Sequence, residues 1–465
     1  MGIFKRGKNW VPLNQRERVN PLWIAAIAAN QLTAFFVYTP INILTNPMCQ
    51  KLELSTVATS WVLLIGSFVG ILVPPFIANW SDTTTLKFGR RRPWILGGCA
   101  ATVVGLMFIV FCENLSKDRN GKITVFIFGV ILAFSGANII ECPGRTMCSD
   151  LVPASQQVLV SNICMTFNAL AGVISNLIGA LELYKYTSLG NENLVILVSC
   201  IIGFVALCVS VISAPEERLS EKPEVVNPFL LIARSFKFYD KYLYMLACAF
   251  ACFQLAATQF VVQSANYIAV KVFHGSATDP IGGNYDKGIS FAMTLSLIQT
   301  IIQFLYSFLN TWVIKVIGLK WTWVIGMSTC AIADILFFFV MPKWCYLIPY
   351  ACIAITQVVS MSVPFAVIAL VTPSDRLAGV ISVLNFFLNI GGLLAHFGLT
   401  MGLGSVKKFQ EDTGLLIGVT FVFALLGALL GWCGITIDAN KIVKEEDSAD
   451  EAKYSDSSDE KPDSL

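Results

Sequence analysis

Apolar residues fall in runs of about twenty along most of the chain, each long enough to cross a bilayer as a helix, with short polar stretches between them. The pattern predicts twelve spans. Six lie near 21–44, 57–78, 94–112, 123–141, 157–181 and 194–213, and six near 243–268, 289–313, 321–341, 345–370, 378–400 and 414–434. The longest internal polar stretch, 214–241, separates the sixth from the seventh and contains Pro215, Glu216, Glu217, Arg218, Glu221, Lys222, Pro223 and Glu224. The chain therefore divides into an N-terminal tail (1–20), a six-helix bundle (21–213), a central loop (214–241), a second six-helix bundle (242–435) and an acidic, serine-rich tail (436–465). The fold class expected is an all-α membrane protein.

Charge placement orients this arrangement. Lys5, Arg6, Lys8, Arg16, Arg18, Lys87, Arg90, Arg91, Arg92, Arg145, Arg218, Lys222, Arg234, Lys237, Lys241, Lys315, Lys320 and Arg376 all fall on one set of connections. Positive charge accumulates on the cytoplasmic side, so both termini and the central loop are expected there, which requires an even number of spans. The plasma membrane is the expected location, with an acidic organelle as the alternative. The C-terminal tail has too little apolar surface to fold. Its Ser455, Ser457 and Ser458 stand among acids and would suit an acid-directed kinase; a plain solvated tail is the other reading.

Composition narrows the class. Of 465 residues, 55% are hydrophobic and 13% charged, about half the charged share of a soluble domain. The net charge of +2 gives no reason to expect a nucleic-acid partner. The 14 cysteines lack metal-ligand or redox spacing, and most sit inside apolar runs as small buried hydrophobes. No metal site, cofactor, ATP-binding loop or nucleophile constellation is legible, which speaks against an enzyme. The partners expected are a lipid bilayer and a small solute.

Two segments carry candidate chemistry. Between the second and third spans lie Ser81, Asp82, Lys87, Phe88, Gly89, Arg90, Arg91, Arg92 and Pro93. An acid closing one helix and arginines opening the next form a charge-assisted latch at the membrane boundary. Gly89 allows the tight turn, and Pro93 suits a first helical turn. In the fourth span stand Asn138, Glu141, Pro143 and Arg145. Glu141 and Arg145 are four apart and share a helix face. Pro143 removes a backbone hydrogen bond, a break tolerated at membrane depth only against protein or a wet cavity. An intramembrane carboxylate is a functional candidate by default. Glu141 is read as the proton carrier and Arg145 as its charge partner, with a structural ion pair as the alternative. Ser362 and Pro364 in the tenth span stand at the corresponding place in the second half, and paired helix breaks in two repeats point to a central site. Gln31, Tyr38, Asn138, Asn168, Gln259, Gln263, Asn266, Gln357 and Ser362 could supply hydrogen bonds to a polyol there, although each could equally join helices. Asp334 is read as structural and His396 as a packed residue, with a proton relay as its alternative.

The acid and Gly89-Arg90-Arg91 in the second connection resemble the major facilitator superfamily. The longer pattern from Ser81 to Pro93, with Asn138 to Leu151 and Ala354 to Ala366, is similar to its sucrose-transporter branch, among the glycoside–cation symporters. The resemblance implies two pseudo-symmetric six-helix bundles, a substrate bound between them near the midplane, and proton-coupled symport of a disaccharide or glucoside by alternating access. It also marks departures. Thr83 replaces an Arg, Phe134 stands where the branch carries an Asp eleven residues before its Arg, and Asn266 replaces a carboxylate after the seventh span. An uncoupled facilitator or exporter of another polar solute therefore stays open, as does a sugar sensor that does not transport.

Overall fold

The computed structural model describes residues 11–435 apart from 87, 154–155, 188, 217–229, 231–232, 234–235 and 373–376; some further side chains, Asp82 and Asn162 among them, also lie outside the described set. Ser455, Ser457 and Ser458 fall beyond it. Among the described residues, twelve helices are long and apolar enough to cross a membrane. They are α1 Pro21–Lys51, α2 Thr56–Asp82, α3 Arg92–Val110, α4 Arg119–Leu151, α5 Gln157–Ala180 and α6 Asn191–Ser213 in the first half. The second half holds α7 Lys241–Tyr267, α8 Asn284–Asn310, α9 Trp312–Leu336, α10 Leu347–Val371, α11 Leu377–Leu394 and α12 Gly414–Gly434.

In the first half, α1 packs against α4, α5 and α6, and α3 lies along α4. In the second, α7 packs against α11 and α12, and α10 lies along α8 and α9. The halves meet where α1 touches α7, α5 touches α8, and α2 touches α11. One surface, here the tail face, carries the start of α1 and the central connection: Trp23 Nε1 donates to the Ser213 carbonyl at 2.8 Å, joining the first helix to the last of its half. The chain returns to that face at Gly434, whose Cα lies against the backbone of Tyr242 and Leu246. The opposite surface is the far face.

Several helices run longer than the hydropathy pattern predicts. The first span, expected to end at 44, continues to Lys51 across Thr45, Asn46 and Pro47. Polar residues there read as a loop, but Thr45 Oγ1 donates to the Ile41 carbonyl at 2.6 Å and Asn46 bonds to α7, so the helix holds its polar end inside protein. The fourth, expected to end at 141, runs to Leu151. Pro143 and Pro364, expected to break α4 and α10, sit buried inside continuous helices. Side chains satisfy carbonyls around them: Thr146 Oγ1 donates to Cys142 O at 2.7 Å, and Ser362 Oγ to Val359 O at 3.2 Å. Such substitutes are what lets proline persist in a membrane helix. Two far-face segments leave α geometry for wider π turns, Ile268–Val272 after α7 and Ala395–Gly402 after α11. A single helical run, Asn284–Leu336, holds α8 and α9 and bends at Gly318, where φ is 82° and ψ 165°.

Candidate functional site: a carboxylate between α1 and α4

Glu141 lies ten residues from the tail-face end of α4, or ~15 Å at 1.5 Å per residue. Its Oε1 accepts from Arg145 Nη2 at 3.2 Å, the i, i+4 pair on one helix face. The Tyr38 hydroxyl of α1 lies close enough to the same carboxylate to interact with it. The Glu141 side chain is 26% exposed and that of Arg145 56%, so protein leaves the pair uncovered on one side, while α1 lies against it on the other. Close approach of the two helices depends on Gly144. A Cβ there would meet the amide of Asn30, which itself donates to Ile27 O and Ser210 Oγ, both at 2.9 Å. Gln31 Nε2 bridges Asn30 Oδ1 at 2.7 Å and the Glu141 carbonyl at 3.2 Å, and its fully buried Oε1 has no partner. Phe134, two turns before Glu141, packs its ring 6.2 Å from Tyr38 and against Gly66.

The remaining candidates do not converge on this point. Asn138 donates to Phe134 O at 2.9 Å within its own helix, and Asn168 is half-buried in α5. Gln259 is fully buried and donates to Ala395 O and Thr400 Oγ1, where the π turn of α11 presents them. Gln263 and Asn266 lie toward the far face. Gln263 Oε1 accepts from Asn46 at 2.8 Å, and Asn266 Oδ1 accepts from the Tyr285 hydroxyl at 2.9 Å. Gln357 and Ser362 join α10 to α8, accepting from Gln299 at 3.1 Å and Asn310 at 2.8 Å. Asp334 is fully buried beside Cys330, and His396 is buried in the π turn with Nδ1 unpartnered.

The second connection is a built tail-face cluster. Arg90 and Arg91 both pair with Asp150 at the end of α4, Arg91 at 2.8 Å. Asp82 ends α2 as expected, but its side chain lies outside the described residues. Arg92 is buried, with its guanidinium 5.6 Å from the Phe88 ring. Glu216 caps α3: its carboxylate accepts the Arg91 N–H at 2.8 Å and the Arg92 N–H at 3.2 Å. Gly89 adopts φ 118° against that carboxylate, where a Cβ would collide with Glu216 Oε2. Burial pushes the Glu216 carboxyl up, against the two backbone donors that lower it. Asp150 and Glu216 complete this cluster, and sequence reading assigned neither of them a role. Each is an acid at a helix end opposite the arginine loop, which is a usable signal only once the topology brings α4 and α6 beside α3.

A family model described as Major Facilitator Superfamily matches residues 26–396. Sucrose transport protein SUC3 of Arabidopsis thaliana is 28% identical over 151 residues, which is 30% of this chain and 25% of that protein. Sucrose transport protein SUT1 of Oryza sativa subsp. japonica is 22% identical over 448 residues, 83% of each chain. The chain thus spans about a quarter of one relative and most of the other. A solved D-xylose–proton symporter superposes with TM-score 0.64 at 12% identity, over 90% of this chain and 98% of that one, a likeness of fold.

Proposed function

The chain belongs to the major facilitator superfamily, and from that membership we propose that it carries a sugar across the membrane together with a proton. Family and fold are those of transporters rather than enzymes. The tail face is read as cytoplasmic, and the substrate as a disaccharide or glucoside bound between the halves. The observation that carries the coupling is the contact of Glu141 with both Tyr38 and Arg145. A carboxylate that is partly solvated, held by a guanidinium from its own helix and by a hydroxyl from another, can exchange Arg145 for a proton. It can do so without being stranded as a buried charge. Arg145, more than half exposed, would then donate to sugar hydroxyls. Protonation of Glu141 would in this way make Arg145 available to the sugar, so that each of the two ligands favours binding of the other, which is what co-transport requires.

A second reading, uncoupled transport of a polar solute, is favoured by two specific features. The position where the resemblance places an acid holds the Phe134 ring, packed on Tyr38, and Asn266 stands where another is expected. Uptake of a labelled disaccharide panel into cells lacking sugar transporters, at acidic outside pH, separates the two. Abolition by a protonophore, together with loss of proton uptake in Glu141→Gln, is the expected result. Protonophore-resistant uptake would establish the facilitator, and no uptake of any sugar would discard the substrate class.

A further inference from the structure

At the far face the two halves meet through buried charge. Lys51, the last residue of α1, donates to Glu192 Oε2 at 2.8 Å and to Asp286 Oδ1 at 3.1 Å. Glu192 opens α6 in the first half; Asp286 opens α8 in the second. Their side chains are 2% and 4% exposed, against 25% for Lys51. The ammonium also lies 5.6 Å from the centre of the Tyr285 ring. Further polar bonds cross between the halves around it: Asn191 Nδ2 donates to Ser290 Oγ at 2.9 Å, and Asn46 Nδ2 to Val262 O at 3.0 Å. The tail-face pairs already described, Arg90 and Arg91 with Asp150 and Arg145 with Glu141, lie within the first half and do not join it to the second.

Charge arithmetic gives this cluster a direction. Two carboxylates are taken out of water around one ammonium. Asp286 has a second support, since its Oδ2 accepts the Gly282 N–H at 2.8 Å. Glu192 Oε1 has no partner, so Lys51 is its compensation. Without the lysine, bringing the halves together would bury two like charges side by side, and a buried charge without a partner is strongly unfavourable. When the halves part, all three groups regain water, so the pairing is reversible rather than a permanent staple. Within the ionic cluster, the bond that spans the halves is Lys51 to Asp286, because Lys51 and Glu192 both belong to the first.

We propose that Lys51 is the latch of the far face, and that its pairing with Asp286 sets the fraction of molecules closed on that side. The proposal rests on the reading of the chain as a transporter that alternates access. Its test measures geometry and not uptake, so a failed latch and a failed substrate assignment are distinguishable. Tyr186 and Ile281 are exposed on far-face connections of opposite halves. Spin labels at Tyr186→Cys and Ile281→Cys, in full-length protein with the exposed thiol removed by Cys433→Ser, report the far-face gap in proteoliposomes. The unsubstituted latch should give mainly the short distance. Lys51→Met should lower the short-to-long ratio at least tenfold, and Asp286→Asn should do the same. Glu192→Gln, which leaves the cross-half pair intact, should keep the short distance. Exchanging the charges with Lys51→Asp and Asp286→Lys together, in the Glu192→Gln protein so that no second carboxylate faces the new one, should restore it, a recovery that a folding defect would not produce. A distribution unchanged by Lys51→Met, or equal shifts from Asp286→Asn and Glu192→Gln in monodisperse protein, would overturn the proposal.

Discussion

Tyr38 and Glu216 both act on a carboxylate chemistry that hydropathy does not reveal. The Tyr38 hydroxyl comes near Glu141 from a neighbouring helix. Replacing it with Phe removes that donor and leaves the ring packing on Phe134. A single hydrogen bond to a charged group contributes about 1.5–3 kcal/mol, so under the proposed coupling Tyr38→Phe should lower uptake by roughly ten- to a hundredfold while leaving the amount of folded protein unchanged. Equal uptake by the two proteins would remove Tyr38 from the site. Glu216 acts on stability instead. Glu216→Ala leaves two N–H groups at the start of α3 without their acceptor and should cost about 0.5–2 kcal/mol, as for other N-terminal caps, read as a lower unfolding temperature in detergent. Its pH dependence has a defined sign. Burial raises the folded carboxyl above its ordinary value of 4.5, so the folded state binds the proton more tightly than the unfolded one. Stability from this group is present below 4.5 and declines as pH rises through the folded value. Glu216→Gln, which still offers an oxygen to both donors, should flatten the unfolding temperature across that window. Parallel pH profiles for the two proteins would contradict the assignment.

At the scale of helices, the run from Asn284 to Leu336 turns on one residue. Gly318 has φ 82° and ψ 165°, a region that side chains with a Cβ avoid at a cost of about 1–3 kcal/mol. Gly318→Ala should therefore destabilise the protein by about that amount, detected as a shift in thermal unfolding without loss of helix content by circular dichroism. This turn was legible, since the apolar pattern breaks between 313 and 321. So were the number of helices, the six-and-six division and the pairing of Glu141 with Arg145, because length, polar spacing and an i, i+4 interval are local properties. Helix ends near polar residues were not legible. Thr45, Asn46 and Pro47 look like a loop by composition, yet α1 continues because α7 supplies partners for Asn46. For the same reason a list of intramembrane amides could not be sorted in advance. Gln357 and Ser362 turn out to hold α10 to α8, and Gln259 holds α7 to α11, whereas Gln31 reaches the Glu141 carbonyl and Tyr38 approaches its carboxylate. The partner of a buried polar group is a tertiary fact, and one sequence carries no record of it.

For the whole molecule, the far-face seam has a steric part beside its ionic one. Gly179, one residue before the end of α5, sits where a Cβ would overlap the sulfur of Met293 in α8, and its carbonyl accepts from Asn191 at 3.2 Å. The halves can approach there because one side of the contact is bare backbone and the other a flexible thioether. A larger side chain would be felt only when the halves close, since parting them frees the space. Gly179→Leu is therefore expected to leave each half folded, to lengthen the far-face distance between labels on Tyr186→Cys and Ile281→Cys, and to reduce uptake at least tenfold. Gly179→Ala, which Met293 can accommodate by shifting its end, should have a smaller effect on both. If the leucine variant kept the short distance yet lost uptake, the contact would matter for something other than closure. Retention of both would mean that α5 and α8 separate little during the cycle. The expected pattern, distance and uptake moving together in proportion to side-chain size, ties the transport cycle to the approach of the two halves at this point, independently of the charges on Lys51, Glu192 and Asp286.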